Sequence, residues 1–188
     1  MKRDQRMEIR IGGTGGQGLI LSGKMLAEAL SSMGRRVAQS QTYEPTSRGG
    51  FCNSDLVVTE GEVDYPLTSA LDCLVLLDRM AVAPSWALLK TGALVIADTR
   101  LCPETPAGDC SVHQLPLTRT AIELGSERVA NIVALGALAV LTGICDRGAL
   151  ERAVRANTPK SFLDINLDAL AEGYRLGEQT HRAAATAA

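Results

Sequence analysis

The residues best placed to do chemistry form a glycine-rich segment near the start of the chain. Residues 13–18 fit the pattern G-x-G-x-x-G, between an alternating apolar stretch at residues 7–12 and a helical apolar repeat at residues 19–33. A strand–turn–helix of this kind presents backbone N–H groups at the helix start, where an anionic group can bind. The residues of the segment are Gly13, Thr14, Gly15, Gly16, Gln17 and Gly18.

Three interpretations of this glycine loop stay open. A dinucleotide-binding loop requires an acidic residue about 20 residues beyond its last glycine to hold the ribose. Ala38 occupies that position and Glu44 follows only in the next loop, which disfavours a nicotinamide cofactor. The loop is otherwise a tight structural turn or the site of a phosphate-bearing ligand. We expect Gly15 and Gly18 to adopt positive φ, where a larger residue would strain the turn.

A second candidate loop follows the next predicted strand, at residues 37–42. Residues 43–50 contain a proline and end in Arg48, Gly49 and Gly50. The loop leaves the same edge of the sheet as the first glycine loop, and ligands of open α/β sheets bind at that edge. An arginine beside two glycines can offer a planar fork to phosphate or carboxylate, although a solvated loop arginine is the simpler alternative.

The elements that must position these loops alternate between strand and helix. A continuous apolar run at residues 71–77 and another at 93–97 are typical of strands buried on both faces, with a helix predicted between them at 80–90. Residues 51–59 and 62–65 flank Glu60 and Gly61, a hairpin signal. The predicted fold is α/β: a mostly parallel open sheet with helices on both faces, a Rossmann-like N-terminal βαβ unit, a β-hairpin insertion and a C-terminal helical cluster. That cluster comprises helices at residues 127–142, 147–156 and 167–178.

Composition excludes several classes of function. The chain has 188 residues, a net charge of −2 and only 3% aromatic residues, so neither a basic nucleic-acid surface nor a set of stacking platforms is present. The longest apolar stretch falls well short of the ~20 residues that span a bilayer, and because residues 1–6 are largely charged and no apolar run follows them, we expect no signal peptide. We therefore expect a cytoplasmic protein with no nucleic-acid or membrane partner. We expect a single domain at residues 7–180, with flexible termini at 1–6 and 181–188.

The order and spacing of the motifs resemble those of a known family. The segments GGTGGQGLILSGKMLAEAL, QTYEPTSRGGFCNSDLVV and VDYPL, followed by LDCLVLLD and AIELGSERVANIVALGAL, are similar to the γ subunit of 2-oxoacid:acceptor (ferredoxin) oxidoreductases. The similarity covers roughly residues 8–150. The Tyr-Glu-Pro and Asp-Tyr-Pro pieces are most similar to the branch that acts on 2-oxoglutarate.

This resemblance implies a non-catalytic subunit of an enzyme that decarboxylates a 2-oxoacid, such as 2-oxoglutarate or pyruvate, and forms an acyl-CoA. It implies α and β partner subunits, in some complexes a ferredoxin-like δ subunit, and ferredoxin as electron acceptor. Thiamine diphosphate and iron–sulfur clusters belong to those partners, which agrees with the lack of a thiamine motif and of cluster-spaced cysteines here. The γ subunit would contribute assembly and a contact to coenzyme A. The alternatives are a stand-alone regulatory module that binds a nucleotide or coenzyme A and, less favoured by the missing ribose-binding acid, a nicotinamide-dependent oxidoreductase.

One further residue enters the candidate site. Asn131 opens a helix that is apolar nearly all round, which indicates a helix covered on every side. Asn131 is either a buried amide that satisfies nearby backbone groups or, as the resemblance implies, a packing or ligand-facing residue beside the glycine loop.

Overall fold

The computed structural model describes residues 6–44, 49–61 and 65–187. Its centre is a six-stranded sheet in the order β2-β3-β1-β4-β5-β6. The strands are β1 Met7–Thr14, β2 Arg36–Tyr43, β3 Phe51–Thr59, β4 Leu71–Leu76, β5 Leu89–Asp98 and β6 Cys110–Leu115.

Five of the six strands run in one direction. β1, β4, β5 and β6 form parallel neighbours, while β3 is antiparallel to both β1 and β2 and lies between them. The mostly parallel α/β fold is therefore confirmed, but β1 and β2 are not adjacent in the N-terminal βαβ unit. The structure's hairpin joins β2 to β3. Of the hairpin arm predicted at 62–65, residues 62–64 lie outside the described part, and Tyr65 is not in a strand.

The longer helices cover one face of the sheet. Ile9 and Ile11 of β1 point into a core that contains residues of α1, α4, α5 and α6, whereas alternate β4 and β5 residues pack against α2 on the other face. The helices are α1 Leu19–Ser32, α2 Val82–Trp86, α3 Leu117–Glu123, α4 Ala130–Thr142, α5 Arg147–Asn157 and α6 Leu163–Ala187. Helices thus cover both faces, but one face carries only the short α2.

The side of β1 and β3 that faces away from the long helices is polar and still buried. Arg10 donates two hydrogen bonds to the Asp55 carboxylate, at 2.8 and 2.7 Å, and Thr68 donates a third at 2.6 Å. Glu8 accepts hydrogen bonds from the backbone N–H groups of Ser69 and Ala70. These contacts fix residues 68–70 against β1, where apolar packing is thin.

Two predicted helices differ in length from those observed. The helix predicted at 80–90 ends by Trp86, because Leu89 pairs with Leu71 in the sheet and the following residues are drawn into β5. The helix predicted at 167–178 extends over Leu163–Ala187, and its apolar side packs along α4. Residues 181–187 therefore continue a helix, and the single-domain boundaries remain a prediction.

Candidate functional site

The glycine loop is held in shape by the side chain of Gln17. Its amide oxygen accepts a hydrogen bond from the backbone N–H of Thr14 at 2.8 Å, and its amide nitrogen donates to the carbonyl of Leu77 at 2.9 Å. Leu77 in turn donates from its backbone to the carbonyl of Gly12. The loop is thereby tied to the carboxyl end of β4, and Gln17 acts as a brace.

The two predicted loops meet, as the sequence leads one to expect. The N–H of Gly15 donates to the carbonyl of Gly50 at 3.0 Å, and the N–H of Gly49 lies 3.5 Å from the carbonyl of Gly15. Gly49 and Gly50 therefore face the glycine loop directly. Arg48 lies outside the described residues, so its role in binding stays a prediction.

Positive φ is confirmed at Gly18 but not at Gly15. Gly16 and Gly18 have φ of 103° and 72°, and Gly49 has φ of 80°. Gly15 does not adopt positive φ, so the strain expected for a side chain there is wrong. The reason is its hydrogen bonding to Gly50, which keeps Gly15 in line with the end of β1 and shifts the turn to the next residues.

Asn131 connects α4 to the glycine loop. Its side-chain nitrogen donates to the carbonyl of Gly18 at 3.2 Å and to the hydroxyl of Ser22 at 2.9 Å, while its oxygen accepts from the N–H of Ile132. Only 5% of the residue is exposed. Both donor hydrogens are thus used within the protein, and Asn131 positions the loop by satisfying buried groups.

The start of α1 leaves donors available beside the loop. In the described part of the chain, the backbone N–H groups of Leu19, Ile20 and Leu21 have no hydrogen-bond acceptor, as is usual in a first helical turn. The aligned peptide dipoles give this end of the helix a partial positive charge. An anionic group that enters here meets free donors and a favourable field.

A cleft of about 690 Å³ opens at this helix start. Lys24 lines it and contributes a positive charge, and its own ion pair with Glu28 is long, at 3.7 Å. Ile20 and Leu21 give it an apolar wall, and both are about 40% exposed. The rest of the lining consists of Thr14, Gly15, Gly16, Gly18, Leu19, Tyr43, Glu44 and Cys52.

Two further spaces lie along the carboxyl edge of the sheet. Gly16 also lines a cavity of about 210 Å³ between the glycine loop, Arg128 and Asn131. Leu101 lines both this cavity and an open groove of about 780 Å³ beside Arg79. The three spaces therefore share lining residues and lie at the ends of β1, β4 and β5.

The sequence reasoning missed Lys24 and underrated Glu44. Lys24 sits on the second turn of α1, and a lysine on a helix surface carries no distinctive signal. The spacing of Glu44 argues against a ribose-binding acid, yet Glu44 follows the last residue of β2 and lines the cleft. Because β3 lies between β1 and β2, Glu44 is two strand spacings, roughly 10 Å, from the end of β1. A ribose-binding acid lies one spacing away in a dinucleotide fold, so this placement still disfavours nicotinamide.

Three buried thiols are held in the protonated form. Burial raises the pKa of Cys73 and of Cys145 to about 12, and that of Cys102 to about 11, so these thiols stay protonated near neutral pH. Among the described residues, no group of three or more His, Cys, Asp or Glu side chains could hold a metal ion. No helix in the described part is long and apolar enough to cross a membrane.

Comparison with known proteins gives consistent matches. Residues 8–176 match the family model described as pyruvate ferredoxin/flavodoxin oxidoreductase. The chain is 36% identical to the 2-oxoglutarate synthase subunit KorC of Methanocaldococcus jannaschii over 178 residues, which cover 93% of this chain and 95% of the relative.

Two solved structures share the fold. The γ subunit of a keto/oxoacid ferredoxin oxidoreductase from Geobacter sulfurreducens is 38% identical, with a TM-score of 0.85 and coverage of 93% and 98% of the two chains. A 2-oxoglutarate:ferredoxin oxidoreductase from Magnetococcus marinus, solved with 2-oxoglutarate, coenzyme A and succinyl-CoA, has a TM-score of 0.83. It is 24% identical, and the match covers 93% of this chain and 31% of that one, which shows a shared fold.

Proposed function

The chain belongs to the pyruvate ferredoxin/flavodoxin oxidoreductase family, and from that premise we propose that it is the γ subunit of a 2-oxoglutarate:ferredoxin oxidoreductase. The observation that carries the proposal is the 36% identity to a 2-oxoglutarate synthase subunit along nearly the whole length of both chains. The complex would decarboxylate the 2-oxoacid, transfer the acyl group to coenzyme A and pass two electrons to ferredoxin. It is a subunit of an oxidoreductase, and its partners are the other subunits of the complex.

The chemical steps belong to those partners. Thiamine diphosphate would stabilise the carbanion formed on decarboxylation, and iron–sulfur clusters would carry the electrons, both on the α and β subunits or on a ferredoxin-like δ subunit. The described residues of this chain offer no metal-binding group, and three of its buried thiols are held in the protonated form. Its own contribution is therefore binding and assembly.

The cleft beside the glycine loop is the place for coenzyme A in this proposal. Free N–H groups at the start of α1 and the ammonium group of Lys24 would hold a phosphate, and the exposed Ile20 and Leu21 would contact the apolar part of the ligand. Arg48 directly precedes Gly49 in the sequence, and Gly49 contacts Gly15. We therefore propose Arg48 as a further phosphate ligand.

Assembly and substrate are tested with the subunits expressed together. This chain should purify with thiamine-binding and cluster-binding partners, and the complex should reduce a viologen dye with 2-oxoglutarate and coenzyme A faster than with pyruvate. The chain purified alone should be colourless and inactive. Turnover by the isolated chain would refute the subunit assignment, while a clear preference for pyruvate would refute only the proposed substrate.

Coenzyme A binding is tested by Arg48→Ala in the assembled complex. A charge-assisted arginine hydrogen bond is worth about 1.5–3 kcal/mol, so the KM for coenzyme A should rise roughly 10- to 150-fold while the KM for the 2-oxoacid stays the same. Arg155→Ala, on an exposed side of α5, removes the same side chain away from the cleft and serves as the control. An unchanged KM for coenzyme A in Arg48→Ala would remove Arg48 from the site, and a complex that fails to assemble would make it an interface residue.

A further inference from the structure

The outer edge of the sheet at β2 lacks the usual protection of an edge strand. β2 pairs with β3 through eight consecutive residues, Arg36 to Tyr43, with no shift in register. It contains no proline, lysine or acidic residue, and every residue is at least partly exposed. Natural proteins shorten, twist or charge such edges, because a long regular edge is a template for another strand.

The opposite edge shows the contrast. β6 has six residues and ends at Leu115, immediately before Pro116, which lacks a backbone N–H to donate. A short strand that stops at a proline offers little ladder to an incoming chain. Since β6 is two residues shorter than β2 and is followed directly by a proline, the β2 edge offers the longer ladder for pairing.

The charges that flank β2 are complementary across a two-fold axis. Among the described residues, neither Arg36 at the start of the strand nor Glu44 just after its end has an ion-pair partner. If two copies of β2 pair in antiparallel fashion with Ser40 opposite Ser40, Arg36 of each copy lies opposite Glu44 of the other. Opposite charges in such directly facing positions stabilise a strand pair.

The same register matches the remaining side chains. Val37 would lie opposite Tyr43, an aromatic–β-branched pair of the kind that stabilises sheets, and it would cover a tyrosine that is 64% exposed. Ala38 would face Thr42 on the other side of the sheet, and Gln39 would face Gln41. All cross-strand pairs are therefore compatible, and a shift by one residue would set Arg36 opposite Tyr43 and lose both ion pairs.

We propose that β2 is a docking edge for a second copy of this chain, joined through an antiparallel β2–β2 pair centred on Ser40. The two six-stranded sheets would then form one continuous sheet of twelve strands. In the assembled oxidoreductase, this contact would join two copies of the complex. The interface is isologous, because each copy contributes the same strand in the same way.

A cross-link tests the register directly. In Ser40→Cys, the two introduced thiols lie opposite each other on the axis, at a Cα separation that a disulfide can bridge. Mild oxidation should give a dimer linked through residue 40, located by mass spectrometry, both in the isolated chain and in the complex. The wild-type chain, with its five native cysteines, is the control for unrelated disulfides. A dimer that does not link through residue 40 would overturn the proposal.

Charge exchange tests the ion pairs. Arg36→Glu or Glu44→Arg alone places like charges opposite each other at both ends of the strand pair and should raise the dimer dissociation constant about tenfold or more. The double variant restores opposite charges and should recover dimerisation. Lys160→Glu, an equal change of charge at an exposed site away from β2, should have no effect. Light scattering across a wide concentration range measures the four variants and the wild type, and a monomeric wild type, or a double variant that dimerises as weakly as the single ones, would refute the proposal.

Discussion

Glycine serves two different purposes in two regions of this molecule. In the seam between α4 and α6, Gly136 has no special backbone conformation, but a Cβ there would lie 2.5 Å from the carbonyl oxygen of Leu170 and 2.9 Å from the Cα of Gly173. In the loop before α1, Gly16 has φ of 103° and no atom within 4 Å of where its Cβ would lie. The seam glycines permit close packing, and the loop glycines permit a turn that leaves space open.

The difference separates stability from ligand binding. Helix backbones in contact cannot move aside for a methyl group without separating the whole seam, so changes there affect the fold. A methyl group in the open cleft meets no protein atom, so its effect falls on the turn and on whatever ligand enters. Substitutions in the two regions should accordingly differ in both size and kind.

The largest effect is expected for Gly136→Ala. The new Cβ collides with backbone atoms of α6, and the loss of packing should lower the free energy of unfolding by about 3 kcal/mol or more, despite the better helix propensity of alanine. Chemical denaturation of the isolated chain measures this. Gly148→Ala in α5, where the nearest atom belongs to a flexible arginine side chain at 3.3 Å, is the control and should be neutral or slightly stabilising. Equal stabilities of the two variants would show that the seam is not closely packed.

Gly18→Ala should have the second-largest effect, because Gly18 serves both purposes: it permits a turn and it permits a close contact. Its φ of 72° strains any larger residue, and its Cβ would lie 2.5 Å from the side-chain nitrogen of Asn131. Together these costs should lower the free energy of unfolding by about 2–4 kcal/mol. In the double variant with Asn131→Ala, the colliding atom is gone, so the combined loss should be smaller than the sum of the two single losses. Strict additivity would mean that the collision contributes nothing.

A substitution of Glu8, which lies outside both regions, measures how much a hydrogen-bonded carboxylate contributes to stability. Burial alone raises the pKa of Glu8, but hydrogen bonds from the backbone of Ala70 and Ser69 and from Arg6 outweigh it and lower the pKa below its ordinary value of 4.5. The folded state thus binds the proton more weakly than the unfolded chain. The stabilisation is complete above pH 4.5 and is lost as the pH falls through the lower folded-state pKa.

Glu8→Gln should therefore cost about 1.5–3 kcal/mol of unfolding free energy at pH 7, since the lost hydrogen bonds involve a charged acceptor. The difference from wild type should shrink steadily as the pH falls below 4.5. Denaturation curves across this range measure it, with Glu60→Gln, an exposed carboxylate on a surface ion pair, as the control. A difference that does not depend on pH would show that the Glu8 charge does not stabilise the fold.

The sequence predicted the strands and helices of this molecule well, but it predicted poorly which strands pair with one another. Buried apolar runs and helical periods located β4, β5 and the C-terminal helices, because both signals are local. The insertion of β3 between β1 and β2 leaves no local trace, since either partner of a strand can be far away in the chain. The predicted site shows the same limit. The two loops were expected to meet, and they do, but the brace by Gln17 and the anchor from Asn131 to Gly18 depend on contacts 60 and 113 residues apart.

The smallest effect on stability, and the most informative one for function, is expected for Gly16→Ala. Its Cβ meets no protein atom, so the only cost is the strain of alanine at positive φ, about 1–2 kcal/mol of unfolding free energy. Gly16 also lines both the cleft beside α1 and the smaller cavity next to it, so the methyl group projects into the proposed site of coenzyme A. In the assembled complex, the KM for coenzyme A should rise about tenfold, equivalent to one lost close contact of about 1.4 kcal/mol.

Gly125→Ala is a matched control, because Gly125 has φ of 106° and likewise no atom within 4 Å, yet it lines none of these spaces. The two variants should be destabilised equally and differ only in the KM for coenzyme A. If both leave that KM unchanged, the glycine loop is a structural turn and coenzyme A binds elsewhere; if both raise it equally, the effect comes from strain and says nothing for a ligand at Gly16.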